Sequence, residues 1–144
     1  MKMSTRASYG ARLMVDLALD YGKGFSLLKD IARREKLSQK YLGQIIIPLR
    51  NRGLVKSGRG VHGGYMLARP PARVSMKEIV EALEGDSIVD DFKLAEPGKT
   101  TGHVTRQVWR ALNKAISETL RSITLQDLVD QYRKGEHPAV IYEI

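Results

Sequence analysis

The chain has 144 residues, of which 42% are hydrophobic and 28% are charged, and it contains no cysteine. This length allows one substantial core, and the missing thiols exclude disulfides and cysteine-ligated zinc or iron–sulfur sites. No stretch approaches the ~20 apolar residues of a membrane span, and the start lacks the apolar core of a signal peptide, so we expect a cytoplasmic protein without a membrane partner.

The net charge of +8 is unevenly distributed. Residues 1–75 carry 15 Lys/Arg against 4 Asp/Glu, whereas residues 76–144 carry 9 against 12. The basic residues lie among helix and turn signals and do not form one lipid-facing stripe, which favours a nucleic acid over an anionic membrane as the partner. A solvated basic surface is the alternative that charge alone leaves open.

The N-terminal third of the chain predicts three helices. Apolar spacing and capping residues place them over 4–21, 26–35 and 39–52, with Ser26 and Ser38 as the N-caps of the second and third. Two short helices joined by a tight turn form a helix-turn-helix. Pro48 lacks an amide hydrogen and clashes with the carbonyl of Gln44, so we expect the third helix to kink or loosen there at a cost of about 3 kcal/mol.

The third predicted helix presents side chains that suit the major groove of DNA. Gln44 can make a bidentate contact with adenine, Lys40 can reach guanine or phosphate, and Ile47 can meet a thymine methyl group. Ordinary surface residues are the alternative for each of them. The candidate DNA contacts in this region are Ser38, Gln39, Lys40, Tyr41, Gln44 and Arg50.

A glycine-dense hairpin is predicted next, with strands over 54–57 and 65–68 around the turn GRGVHGG. Gly58, Gly60 and Gly63 spell G-x-G-x-x-G, but a dinucleotide-binding turn requires a helix immediately afterwards, and a strand pattern follows here. Arg59 at the hairpin tip can enter a narrow minor groove, and His62 can donate to a phosphate. A solvated loop arginine is the alternative.

The C-terminal half predicts further helices. Ser75 and Glu78 form a capping box for a helix that ends near residue 85, an irregular loop follows over 86–102, and a long helix covers 103–123. Thr124 begins another helix, which precedes an apolar tail. Asp90 and Asp91 in the loop could hold a hard cation, but acidic neighbours in a loop are more often solvated.

The inventory of catalytic groups is thin. The three histidines, His62, His103 and His137, are widely separated, and there is no cysteine nucleophile. An enzyme needs a nucleophile, a base and an orienting group that converge. We therefore expect a protein that is not an enzyme.

Four segments carry a family resemblance: STRASYG, then S-x-x-YL-x-Q-I-I with PLRNRGLVKS behind it, then RGVHGGYML, and finally EALEG. Together they resemble the Rrf-type family of bacterial winged-helix transcriptional regulators, over nearly the whole chain and most specifically through Glu84. The resemblance implies a mainly α fold with a small β-hairpin wing. It divides the chain into a winged helix-turn-helix domain over 1–84, a loop over 85–102, and a long dimerisation helix, short helix and tail over 103–144. It also implies a homodimer that binds a palindromic operator in double-stranded DNA, acting as a repressor.

Two departures limit what the resemblance carries over. Cluster-sensing members supply three cysteines from the loop and the start of the long helix, and residues 85–103 contain none, so we expect no cofactor. Family members often have glutamate where this chain has Gly43, so the operator sequence does not carry over.

The chain resembles the cysteine-free branch of the family, which includes the cysteine-metabolism repressor. That resemblance implies control of cysteine and sulfur metabolism through a complex with cysteine synthase. Ile144 resembles the terminal isoleucine that this enzyme accepts from serine acetyltransferase, so Tyr142 and Ile144 are the candidate partner contacts. A tail packed on the dimer or frayed is the alternative. Two other functions stay open: a regulatory subunit of a metabolic enzyme with little DNA binding of its own, and an RNA-associated winged helix.

Overall fold

The computed structural model describes residues 4–60, 63–85 and 100–135. These residues form a mainly helical protein with one antiparallel hairpin, which confirms the predicted fold class. The elements are α1 (Thr5–Leu19), α2 (Leu28–Glu35), α3 (Gln39–Asn51), β1 (Val55–Gly58), β2 (Gly64–Leu67), a 3₁₀ turn (Pro71–Arg73), α4 (Met76–Glu84), α5 (Thr101–Arg121) and α6 (Leu125–Lys134).

Most of the predicted N-caps are present. The Ser38 hydroxyl accepts a hydrogen bond from the Tyr41 amide at 3.2 Å, and capping boxes begin α4 at Ser75 and α6 at Thr124. Each cap satisfies an amide of the first helical turn that has no partner within the helix. These bonds join residues three positions apart, so a local sequence pattern can indicate them.

The predicted cap at Ser26 is wrong. The N-cap of α2 is Leu27, which makes no side-chain capping bond. Ser26 instead exchanges two backbone hydrogen bonds with Tyr65 of β2, each 2.8 Å long, and its hydroxyl donates to Asp20. Pairing with a distant strand therefore outcompetes local capping, and Ser26 adds a third short segment to the hairpin.

Several element boundaries also differ from the predictions. α1 ends at Leu19, two residues before the predicted end, and the glycines Gly22 and Gly24 follow with positive φ. α5 begins at Thr101 because Thr100 caps it, and it ends at Arg121. The expected loosening at Pro48 does not end α3, which remains helical to Asn51. The strands are each displaced by one residue, with Val55 opposite Leu67.

One apolar core joins α1, α2, α3, the hairpin, α4 and α6. α6 contributes Leu125 and Val129, which are fully buried although α6 follows the long helix in the chain. α5 differs from all other helices in the described residues, because none of its 21 side chains is buried. Its half-buried side packs mainly on α4. The division into domains at 84 and 103 stays a prediction.

Candidate DNA interface

Helix α3 has a buried side and an exposed side. Leu42, Ile45, Ile46 and Leu49 lie in the core. Helical periodicity of 3.6 residues places Lys40, Gln44, Ile47 and Asn51 together on the opposite side, and all four are exposed. Ile47 is 47% exposed, so a large aliphatic side chain is accessible among these polar neighbours. This stripe combines hydrogen-bonding groups with one apolar contact, as base edges in the major groove require.

The other predicted contact residues of this helix flank the stripe. Gln39 and Arg50 are exposed, and Ser38 is exposed with its hydroxyl engaged as the N-cap. Tyr41 is half-buried, with its ring edge-on to that of Tyr9 at a centroid distance of 5.8 Å. The sequence did not indicate this ring contact, because the two tyrosines are far apart in the chain.

Ion pairs fix the helix-turn-helix on α1. Arg34 of α2 donates to both carboxylate oxygens of the buried Asp16, at 3.2 and 2.7 Å. Two parallel N–H···O bonds set orientation as well as distance. The turn to α3 passes through Lys36 in the left-handed conformation, with φ of 55°. The position of α3 is therefore determined by contacts outside the exposed stripe.

The wing is held tightly at its base. A Cβ atom on Gly64, which has φ of 140°, would lie 2.4 Å from the Ser26 carbonyl oxygen, so a side chain does not fit there. A Cβ atom on Gly58 would lie 3.0 Å from the Phe25 ring. Gly64 therefore permits a close approach of two backbones, and Gly58 makes room for the Phe25 ring. Strand β2 begins directly after Gly63, the last glycine of the G-x-G-x-x-G motif, which confirms the predicted hairpin and contradicts a dinucleotide-binding turn.

Two cations are exposed in the described part of the wing. Arg59 lies just after β1, where the hairpin turns, and Lys56 lies on the exposed side of β1. Lys56 is not among the predicted contacts, although its position next to the buried Val55 in a strand is a period-2 signal that places it outward. Together with Lys40 and Arg50 of α3, these residues give the helix and the wing the positive charge that phosphates attract.

Several predicted residues lie outside the described residues. They are His62 at the wing, Asp90 and Asp91 in the loop, and Tyr142 and Ile144 in the tail. In the part of the chain that is described, no helix is both long and apolar enough to cross a membrane.

Comparison with known proteins identifies relatives across the whole chain. The family model of Rrf2, described as an iron-dependent transcriptional regulator, matches residues 3–131. The HTH-type transcriptional regulator CymR of Bacillus subtilis is 41% identical over 145 residues, covering all of both chains.

Two solved structures are similar in fold and in sequence. The structure of CymR, the global cysteine regulator of B. subtilis, matches with a TM-score of 0.75 and 40% identity, over 90% of this chain and 97% of that one. The structure of IscR from T. potens matches with a TM-score of 0.79 and 41% identity, over 95% of this chain and 92% of that one. Both identities are high enough to indicate more than a shared fold.

The iron in the family description does not match the ligand groups of this chain. The full sequence has no cysteine, and the described residues contain no group of three or more His, Asp or Glu side chains placed to hold a metal ion. Thiolate ligation of iron is therefore impossible here.

Proposed function

Because the chain belongs to the Rrf2 family of transcriptional regulators, we propose that it binds a palindromic operator in duplex DNA as a homodimer and represses transcription. Since DNA is the proposed target, the cytoplasm is the proposed location of the protein. The observation that carries the proposal is the exposed stripe on α3 beside a wing that ends in an exposed arginine. The relatives are named as transcriptional regulators, which favours a regulator over an enzyme.

In the proposed complex, the N-terminal turns of α3 lie in the major groove. Gln44 contacts adenine, Lys40 contacts guanine or phosphate, and Ile47 meets a thymine methyl group. Arg59 enters the adjacent minor groove, where the potential is most negative. The residues proposed to contact the backbone phosphates are Ser38, Gln39, Tyr41, Arg50 and His62.

The proposed dimer forms through α5. Val104 and Val108 are 60% and 56% exposed, and helical periodicity places Ala111 and Ala115 beside them. This apolar stripe lies on the side of α5 away from α4. An exposed apolar stripe on a long helix favours pairing with a second copy. A two-fold dimer would place its two α3 helices in successive major grooves about 34 Å apart.

We also propose that the regulated genes belong to cysteine and sulfur metabolism, since a relative of known structure is named the global cysteine regulator. Cysteine synthase is the proposed partner, with Tyr142 and Ile144 as its contacts. Deletion of Ile144 is expected to weaken the association of the purified proteins by more than tenfold. An unchanged affinity would remove the tail from the proposal.

The test of DNA binding begins with selection from fragmented genomic DNA, followed by affinity measurement on the selected duplex. Gln44→Ala is expected to cost about 1–3 kcal/mol on the selected site and little on random DNA. Arg59→Ala is expected to weaken binding. It should also make the plot of log affinity against log salt concentration less steep by about one unit of slope. Lys134→Ala removes an exposed charge from α6 and is the matched control. Selection of no common sequence, or a preference for structured RNA in competition, would contradict the proposal.

A further inference from the structure

A groove of about 690 Å³ lies between α1, α2 and α6, away from the exposed side of α3. Val15 and Leu19 of α1 and Leu128 of α6 form an apolar wall, and Tyr132, which is 68% exposed, stands at the rim. Binding sites for small molecules have this size, and they combine apolar walls with a few convergent polar groups.

The polar end of the groove holds more carboxylates than cations. Asp16, Asp20 and Glu35 line it together with two guanidinium groups, those of Arg12 and Arg34. Arg34 pairs with Asp16 at 2.7 Å and lies 3.6 Å from Asp20, and Arg12 pairs with Glu35 at 3.3 Å. Three carboxylates therefore share two guanidinium groups, so the described lining of the groove carries a net negative charge.

The environment of Glu35 agrees with this imbalance. Burial raises the pKa of Glu35, and the neighbouring Asp16 raises it further, while Arg12 offsets only part of the increase. A raised carboxyl pKa means that the surroundings stabilise the anion poorly. A positive charge added to the groove would stabilise it.

We propose that this groove binds a small organic ammonium ion with an apolar body. The ammonium group pairs with Glu35, while the body packs on Val15 and Leu128 beside Tyr132, whose ring can also stabilise a cation. A hydrated inorganic cation leaves the apolar wall unused. An anion would meet the excess of carboxylates.

The groove connects the two functional parts of the chain. Glu35 is the last residue of α2 and lies three positions before Ser38, the N-cap of α3. Leu128 and Tyr132 belong to α6, which follows α5 directly. A bound ammonium ion would therefore change DNA affinity by acting on both the helix-turn-helix and the long helix. This coupling, unlike the binding site itself, rests on the proposed function.

Calorimetry of the full chain with benzylamine tests the site. Benzyl alcohol, which has the same ring without the charge, is the control ligand, and benzoate reverses the charge. We expect benzylamine to bind at least tenfold more tightly than either, and Glu35→Gln to remove most of that difference. Glu118→Gln, on the exposed surface of α5 outside the groove, is the matched control variant and is expected to change nothing.

Tyr132→Ala keeps the test valid if Glu35→Gln fails to fold, because the tyrosine is largely exposed. We expect a weakened benzylamine affinity with unchanged sedimentation. Equal binding of benzylamine and benzyl alcohol would overturn the site, as would a Tyr132→Ala variant that changes only the oligomeric state. Benzylamine that binds without altering the affinity for the selected operator would overturn the coupling alone. A chain that binds benzylamine but no DNA would overturn the proposed function and leave the site standing.

Discussion

Helices α3 and α5 both expose large apolar side chains, but only α3 has a buried side. Ile45 and Ile46 of α3 are each 1% exposed, whereas all described residues of α5 are at least partly exposed. α3 is therefore positioned by its own chain and keeps one side free for a ligand. The described residues cover α5 incompletely, which agrees with the proposed pairing of this helix with a second copy. The polar stripe of α3 suits DNA, and the apolar stripe of α5 suits a second copy.

The largest expected effect is a difference in stability between substitutions on the buried side and on the exposed side of α3. Ile45→Ala removes a core side chain and is expected to lower the free energy of unfolding by about 2–5 kcal/mol. Ile47→Ala, two residues away, is the matched control, and it should change stability by less than about 0.5 kcal/mol. Urea unfolding of both variants measures the difference. Equal losses would mean that Ile47 is covered in the folded protein.

The second prediction concerns α5. Val108→Lys places a charge in the apolar stripe and is expected to weaken dimerisation by more than about tenfold, because the ammonium group would have to be desolvated. Gln107→Lys adds the same charge one residue away and is expected to leave dimerisation nearly unchanged. Sedimentation equilibrium over a range of protein concentrations measures both. A dimer that tolerates Val108→Lys as well as Gln107→Lys would place its interface elsewhere.

The third prediction uses two glycines of the wing, both with positive φ. Gly64→Ala would bring a Cβ atom against the Ser26 carbonyl, whereas a Cβ atom on Gly60 would meet nothing within 4 Å. The backbone conformation alone costs about 1–3 kcal/mol for a residue with a side chain. Gly64→Ala should therefore lower both stability and DNA affinity more than Gly60→Ala does. Thermal unfolding and operator titration compare them, and equal effects would contradict the close contact with Ser26.

These contrasts also show what the sequence could predict. The caps at Ser38, Ser75 and Thr124 depend on residues three positions apart, and the exposed stripe of α3 follows from helical periodicity. The pairing of Ser26 with Tyr65, by contrast, joins residues far apart in the chain, as does the ion pair between Asp16 and Arg34. No local pattern encodes such contacts. For that reason helix α3 and its exposed stripe were predicted, but the groove between α1, α2 and α6 was not.

The smallest expected effect concerns the start of α4, which packs on the core. There the contribution of Glu78 to stability can be tested by varying the pH. Burial alone would raise the pKa of Glu78, but hydrogen bonds from the Ser75 amide and from Arg69 outweigh it and lower the pKa below its ordinary value. The carboxylate therefore adds stability that is fully present above about pH 4.3, the ordinary value, and is lost as the pH falls through the lowered pKa.

Glu78→Gln removes this contribution. The side chain is 39% exposed, so solvent screens the ion pair, and the expected loss at neutral pH is less than about 1 kcal/mol. The difference in free energy of unfolding between the original protein and Glu78→Gln should narrow as the pH falls below about 4. Urea unfolding at several pH values measures it, with Glu118→Gln on exposed α5 as the control that changes stability little at any pH. A gap that widens on acidification would mean that burial, and not the bonds to Ser75 and Arg69, dominates at this site.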